Sequence, residues 1–342
     1  MIAAVSSLRA SPALAPALAP ALAALALVLL AIPAKAEDKP GGSGKTSDKT
    51  SAVEINVARD LCRNTSSSLD MRFEGCDTII RENTEQGHDL AMALCNRGHV
   101  FTERREFDKA LNDLDRAIAL SPDYACARSN RGRVFSLQKQ YGKAIENYNE
   151  AIRIEPDFML GYNNRGDAYK NLGQHDRALA DFNKAIELKS DFLLAWDNRG
   201  ETYHRMRQFD KAIADYSHIL EIAPGAYNVL LRRGNVWRDM EQLDKAEADY
   251  ARVIKLIPND ARGWRNRGLI RMMKGDAKKA VADYNEAIKF DPNDAYSFNN
   301  RGFGKRKLGD NKGAMDDFRA ALKLNPGLET ATRSLRELGG KP

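Results

Sequence analysis

Cysteine, tryptophan and histidine are scarce in this chain of 342 residues, which holds four, three and five of them. Four cysteines are too few to build a disulfide scaffold of this length. The five histidines, His88, His99, His175, His204 and His218, form no set at metal-ligand spacing. The motifs H-E-x-x-H, C-x-x-C and G-x-S-x-G and the EF-hand loop are missing. The sequence therefore implies no enzyme, no metal site and no cofactor. Its longest leading apolar stretch, Ala21 to Ile32, has 12 residues, whereas a membrane span needs about 20. Fifty-three Lys and Arg against 47 Asp and Glu leave a net charge of only +6. That is not the dense basic face that nucleic acid requires, so a nucleic-acid partner is not expected.

The short apolar stretch has its own meaning. Arg9 precedes it, and Ala34-Lys35-Ala36 and a polar run follow it. This is the plan of a secretory signal peptide over residues 1–36, cut after Ala36. The expected destination is the periplasm or the outside of the cell, with no membrane span once the signal is removed. Residues 37–52 are Gly, Ser, Thr, Asp and Lys with almost nothing apolar, and read as a disordered linker. Gly41-Gly42-Ser43-Gly44-Lys45-Thr46 resembles the end of a phosphate-binding loop, but Lys39 stands where the first glycine belongs and no strand precedes it.

Beyond residue 90 the chain repeats. Gly98, Gly132, Gly166, Gly200, Gly234, Gly268 and Gly302 are spaced every 34 residues. Twelve residues after each glycine stands an alanine, from Ala110 to Ala314. Four further on comes a large residue: Leu114, Tyr148, Phe182, Tyr216, Tyr250, Tyr284 or Phe318. Proline closes six of the seven units, with Ser190 in the other. Each unit reads as two helices, for example about 159–172 and 176–188, with apolar positions on one face of each. Glycine and alanine let the two backbones approach while the large residue fills the gap. One hairpin cannot bury its own apolar face, so neighbours must stack.

These residues resemble the tetratricopeptide repeat (TPR) family over 91–328. The resemblance implies an all-α fold, a right-handed α–α superhelix, and a scaffold that binds proteins. Arg271 and Lys305 depart from the pattern, standing where an aromatic is usual. Residues 329–342 read as a polar capping helix and tail. Residues 53–90 read as a degenerate unit, stapled by a Cys62–Cys76 disulfide because its core is poor. Spacing does not decide whether Cys95 and Cys126 pair.

Two polar rows run through the repeats. Arg97, Arg131, Arg165, Arg199, Arg233, Arg267 and Arg301 precede the glycines. Six acids, Asp113, Asp181, Asp215, Asp249, Asp283 and Asp317, recur 16 residues after their arginines, which favours structural Arg–Asp pairs over an anion site. Asn96, Asn130, Asn164, Asn198, Arg232, Asn266 and Asn300 stand one residue earlier. By resemblance the first helices line the concave surface, and a carboxamide both donates and accepts. This row is therefore expected to hold an extended peptide or a partner helix in a groove. Arg262, Arg265 and Arg306, with Leu269, Met272, Met273, Tyr296 and Phe303, make its C-terminal end basic and apolar. The carboxylate clamp of chaperone-binding TPR proteins is not reproduced, since Asp167, Asp197 and Glu201 fall where it needs Asn or Lys. The reading is an exported scaffold for an unidentified protein partner. The alternative is an envelope-assembly factor that binds peptidoglycan or polysaccharide.

Overall fold

The computed structural model of the chain describes residues 51–341. The expected signal peptide and nearly all of the expected linker lie outside the described residues. Among these there are seventeen α-helices and no strand. The chain divides into two compact units, one ending at Val134 and one beginning at Phe135.

The first unit opens with Ala52–Arg63. Its N-terminus is fixed by a capping box, in which the Ser51 side chain accepts from the Glu54 N–H at 3.3 Å and the Ser51 N–H donates to the Glu54 carboxylate at 2.7 Å. The next helix, Leu69–Glu82, is capped by Ser68. The two lie so close that a Cβ on Gly75 would sit 2.5 Å from the Ala58 carbonyl oxygen. Beside that contact Cys62 and Cys76 form the expected disulfide. The core around them is small: Ala58, Cys62, Cys76, Ile79 and Ala93. Helices Gly87–Glu103 and Phe107–Leu120 then form the first regular repeat, and Ala125–Leu137 opens the second.

In the second unit the hairpins pair first helices Met159–Asn171, Leu193–Arg205, Tyr227–Asp239, Ala261–Met273 and Ala295–Lys307 with the second helices that follow them. Those are His175–Leu188, Phe209–Ile222, Leu243–Leu256, Ala277–Phe290 and Asn311–Leu324. The helix Tyr141–Ile154 precedes them and Glu329–Glu337 follows the last of them. The repeat glycines have a steric cause. A Cβ on Gly166, Gly200, Gly234, Gly268 or Gly302 would lie 2.7–2.9 Å from the ring of the large residue 16 positions later. Those rings are fully buried, each burial contributing about 1.5–3 kcal/mol.

The turn between the two helices of a repeat demands a left-handed residue seven positions after the glycine. Gly173, Gly275 and Gly309 supply it without cost, but Arg105, Lys139, Arg207 and Glu241 adopt it too, with φ between 57° and 61°. A side chain there costs roughly 1–2 kcal/mol, offset in part by the greater unfolded-state entropy of glycine. Lys139→Gly and Glu241→Gly are each expected to raise stability by up to about 1 kcal/mol. Urea denaturation checks this; a loss of stability in both would contradict it.

Candidate functional site

The arginine row is spent on the fold. Arg97, Arg165, Arg199, Arg233, Arg267 and Arg301 each grip the aspartate 16 residues later with two parallel bonds of 2.6–3.0 Å. The remaining nitrogen of four of them reaches back to the second helix of the preceding repeat. Arg165, Arg199 and Arg301 donate to Asn149, Asn183 and Asn285, and Arg233 donates to Ser217, at 2.7–2.9 Å. Arg131 reaches Asp115 in the same way at 2.6 Å. Each fork ties one second helix to the next. The departures at Arg271 and Lys305 join this row: Arg271 pairs with Glu247 and Asp283, and Lys305 with Asp317, each at 2.9 Å.

The asparagine row is half-buried throughout, and most of its amides bond within the chain. Asn96 donates to the Cys62 carbonyl at 3.2 Å. Asn130 donates to the Cys95 sulfur at 3.2 Å. Asn198 donates to Asn163 at 3.0 Å and accepts from Lys170 at 3.1 Å. Asn164 and Asn300 accept from the residue before them at 3.2 and 3.3 Å. The Asn266 side chain makes no hydrogen bond among the described residues.

Arg232 belongs to a half-buried ionic cluster. Its guanidinium meets Glu201 at 3.1 Å and Asp197 at 3.5 Å. Lys170, almost wholly buried, meets Glu201 at 3.1 Å and Asp167 at 2.8 Å. Burial opposes the charge on Glu201, but Lys170, Arg232 and Arg205 outweigh it and hold the carboxyl at about 2. Burial pushes the Asp197 carboxyl up in spite of Arg232. The cations of the C-terminal end are likewise paired: Arg262 with Asp260 at 2.6 Å, Arg265 with Asp294 at 2.9 Å and Arg306 with Glu337 at 2.7 Å. Arg262 is nonetheless about half exposed. The apolar expectation has structural content in part: Tyr296 is 55% and Met273 49% exposed. Asn266, Leu269 and Met273 share one face of their helix by spacing, whereas Phe303, expected in the groove, packs against the buried Phe318 with ring centroids 5.2 Å apart. No helix among the described residues is long and apolar enough to cross a membrane.

Stacked hairpins of this kind define an all-α repeat scaffold. Family profiles described as tetratricopeptide repeats match residues 91–124, 132–173, 160–192, 193–226 and 231–295, together more than half of the chain. The chain belongs to the tetratricopeptide repeat family, whose members serve protein–protein interaction. Solved structures agree on the fold. A tetratricopeptide repeat protein from Parabacteroides merdae is 20% identical and covers 73% of this chain and 99% of its own, with a TM-score of 0.56. PilW, a type IV pilus biogenesis factor, is 18% identical over 62% of this chain and 98% of its own, with a TM-score of 0.56. A chain of the APC/C hetero-tetramer Cut9–Hcn1 is 14% identical over 84% of this chain and 56% of its own, with a TM-score of 0.58. At these identities the likeness concerns the fold alone. No curated protein matches the chain.

Proposed function

We propose that the chain is an exported interaction scaffold that binds an extended peptide or a partner helix along the first-helix face of its last repeats. One observation carries this reading. There the side-chain amide of Asn266 is unbonded, with exposed Met273 on the same helix and exposed Tyr296 on the next first helix, while the arginine row is consumed inside the fold. An open donor and acceptor beside exposed apolar groups suits a peptide backbone with one or two apolar side chains. The glycan reading has less support, because two of the large aromatics are engaged. Trp196 and Trp264 donate to the Ser190 and Pro258 carbonyls at 2.8 Å and lie under Arg199 and Arg267.

The test compares two asparagines against a protein retained from an envelope extract by the purified chain. Asn266→Ala is expected to leave the melting temperature unchanged and to weaken binding by about 0.5–1.5 kcal/mol, a factor of roughly 2–10. Asn198→Ala, which strips Lys170 and Asn163 of a partner, is expected to lower the melting temperature instead. Unchanged affinity in Asn266→Ala, measured by calorimetry, removes this face from the binding site.

A further inference from the structure

Two cysteines remain outside the disulfide. Cys95, on the first helix of the first repeat, is fully buried, and Cys126, on the first helix of the second, reaches the surface in part. Both lie in the first unit and in one core, with the small buried side chains of Ala91 and Ala127 beside them. Their sulfurs share polar neighbours: the Asn130 side-chain nitrogen stands 3.2 Å from Cys95 Sγ and 3.9 Å from Cys126 Sγ, and the Tyr124 side chain lies within bonding reach of both. An amide N–H directed at sulfur favours the thiolate over the thiol.

We propose that Cys95 and Cys126 form a reactive dithiol that closes to a second disulfide, by exchange with a small disulfide such as oxidised glutathione. The order of steps follows from exposure. The Cys126 thiolate attacks one sulfur of the oxidant, forms a mixed disulfide and releases one glutathione thiolate. The Cys95 thiolate then attacks Cys126 Sγ and expels the second glutathione. The two cysteine thiols lose two electrons and two protons; the oxidant takes both and leaves as two thiols. The Cys126 thiol and burial push the Cys95 thiol well above its usual range, and the Asn130 and Tyr124 side chains work against them. The second step is therefore slow and is the one that limits closure. The product staples the first helices of two successive repeats, whereas Cys62–Cys76 staples two helices within one unit. This inference concerns the chemistry of the chain itself and does not depend on what its groove face binds.

The experiment uses the folded full chain with oxidised glutathione at mildly alkaline pH. Thiols are counted by maleimide labelling after denaturation, and a non-reducing tryptic digest is read by mass spectrometry. The free-thiol count is expected to fall from two to none, with a linked peptide pair containing Cys95 and Cys126 and the Cys62–Cys76 pair unchanged. In Cys95→Ser the glutathione adduct on Cys126 is expected to persist, because no thiol resolves it. If that variant does not fold, the wild-type time course carries the same information, since a transient adduct on Cys126 must precede the loss of Cys95. A stable Cys126 adduct in the wild type overturns the proposal. So do two thiols still free after dithiothreitol in the same solution is fully oxidised.

Discussion

Asp215→Ala is expected to destabilise the chain by roughly 3–5 kcal/mol, the range for breaking a buried ion pair by removing one partner. The aspartate is buried and takes two bonds from Arg199, at 2.9 and 2.7 Å. Its loss strands a guanidinium that is only 16% exposed. The pair itself adds much less. Burial pushes the Asp215 carboxyl up even with Arg199 bonded to it, so desolvation offsets most of the attraction. Arg199→Met combined with Asp215→Leu is therefore expected to cost far less than Asp215→Ala. A double-mutant cycle by urea denaturation gives the coupling directly. Additive costs would show that Arg199 and Asp215 act independently and that the fork is not a unit.

Gly166→Leu is expected to cost at least the upper end of the roughly 1–3 kcal/mol typical of overpacked cores. The first atom of the new side chain already falls 2.7 Å from Phe182 Cε1, and the ring edge lies within 3.1 Å at three atoms. Phe182 is fully buried and has nowhere to move. The damage extends to the adjoining hairpins, because a stacked repeat is stabilised through its interfaces. Gly142→Leu serves as control, since a Cβ there meets nothing within 4 Å. Equal melting temperatures for the two variants would refute the account of helix approach.

The contrast between these two sites and the asparagine row shows what a repeat makes legible. A 34-residue register places glycine against the large residue 16 positions on, and arginine against aspartate at the same offset, because both contacts close inside one hairpin. Residue identity alone therefore predicts them. Contacts between hairpins do not announce themselves in this way. The backward arm of the fork ends on Asn149, Asn183, Ser217 or Asn285, polar residues with no common charge. Lys170 stands on a first helix, the kind expected to line the groove, yet it is nearly buried, because Glu201 and Asn198 of the next repeat close over it. Asn198 is withdrawn from the expected site by Asn163, 35 residues earlier. Helical period tells which face a side chain occupies. Whether a neighbour has already taken its hydrogen bonds depends on the stacking distance, which the sequence does not carry.

The forked arginines also bear on how such a chain changes length over generations. Arg165, Arg199, Arg233 and Arg301 each reach 16 residues forward and 16 back, so their two partners lie in their own repeat and the one before. Loss of one codon inside a repeat shifts those partners out of reach. Loss of a whole repeat does not. Excising residues 199–232 would bring Arg233 to the position of Arg199, with Asp249 still ahead of it and Asn183, the acceptor Arg199 now uses, behind it. Unequal recombination between repeats can thus lengthen or shorten the gene in 34-codon steps with every clamp preserved. A partner that needs a longer or shorter surface can be met without inventing a new interface.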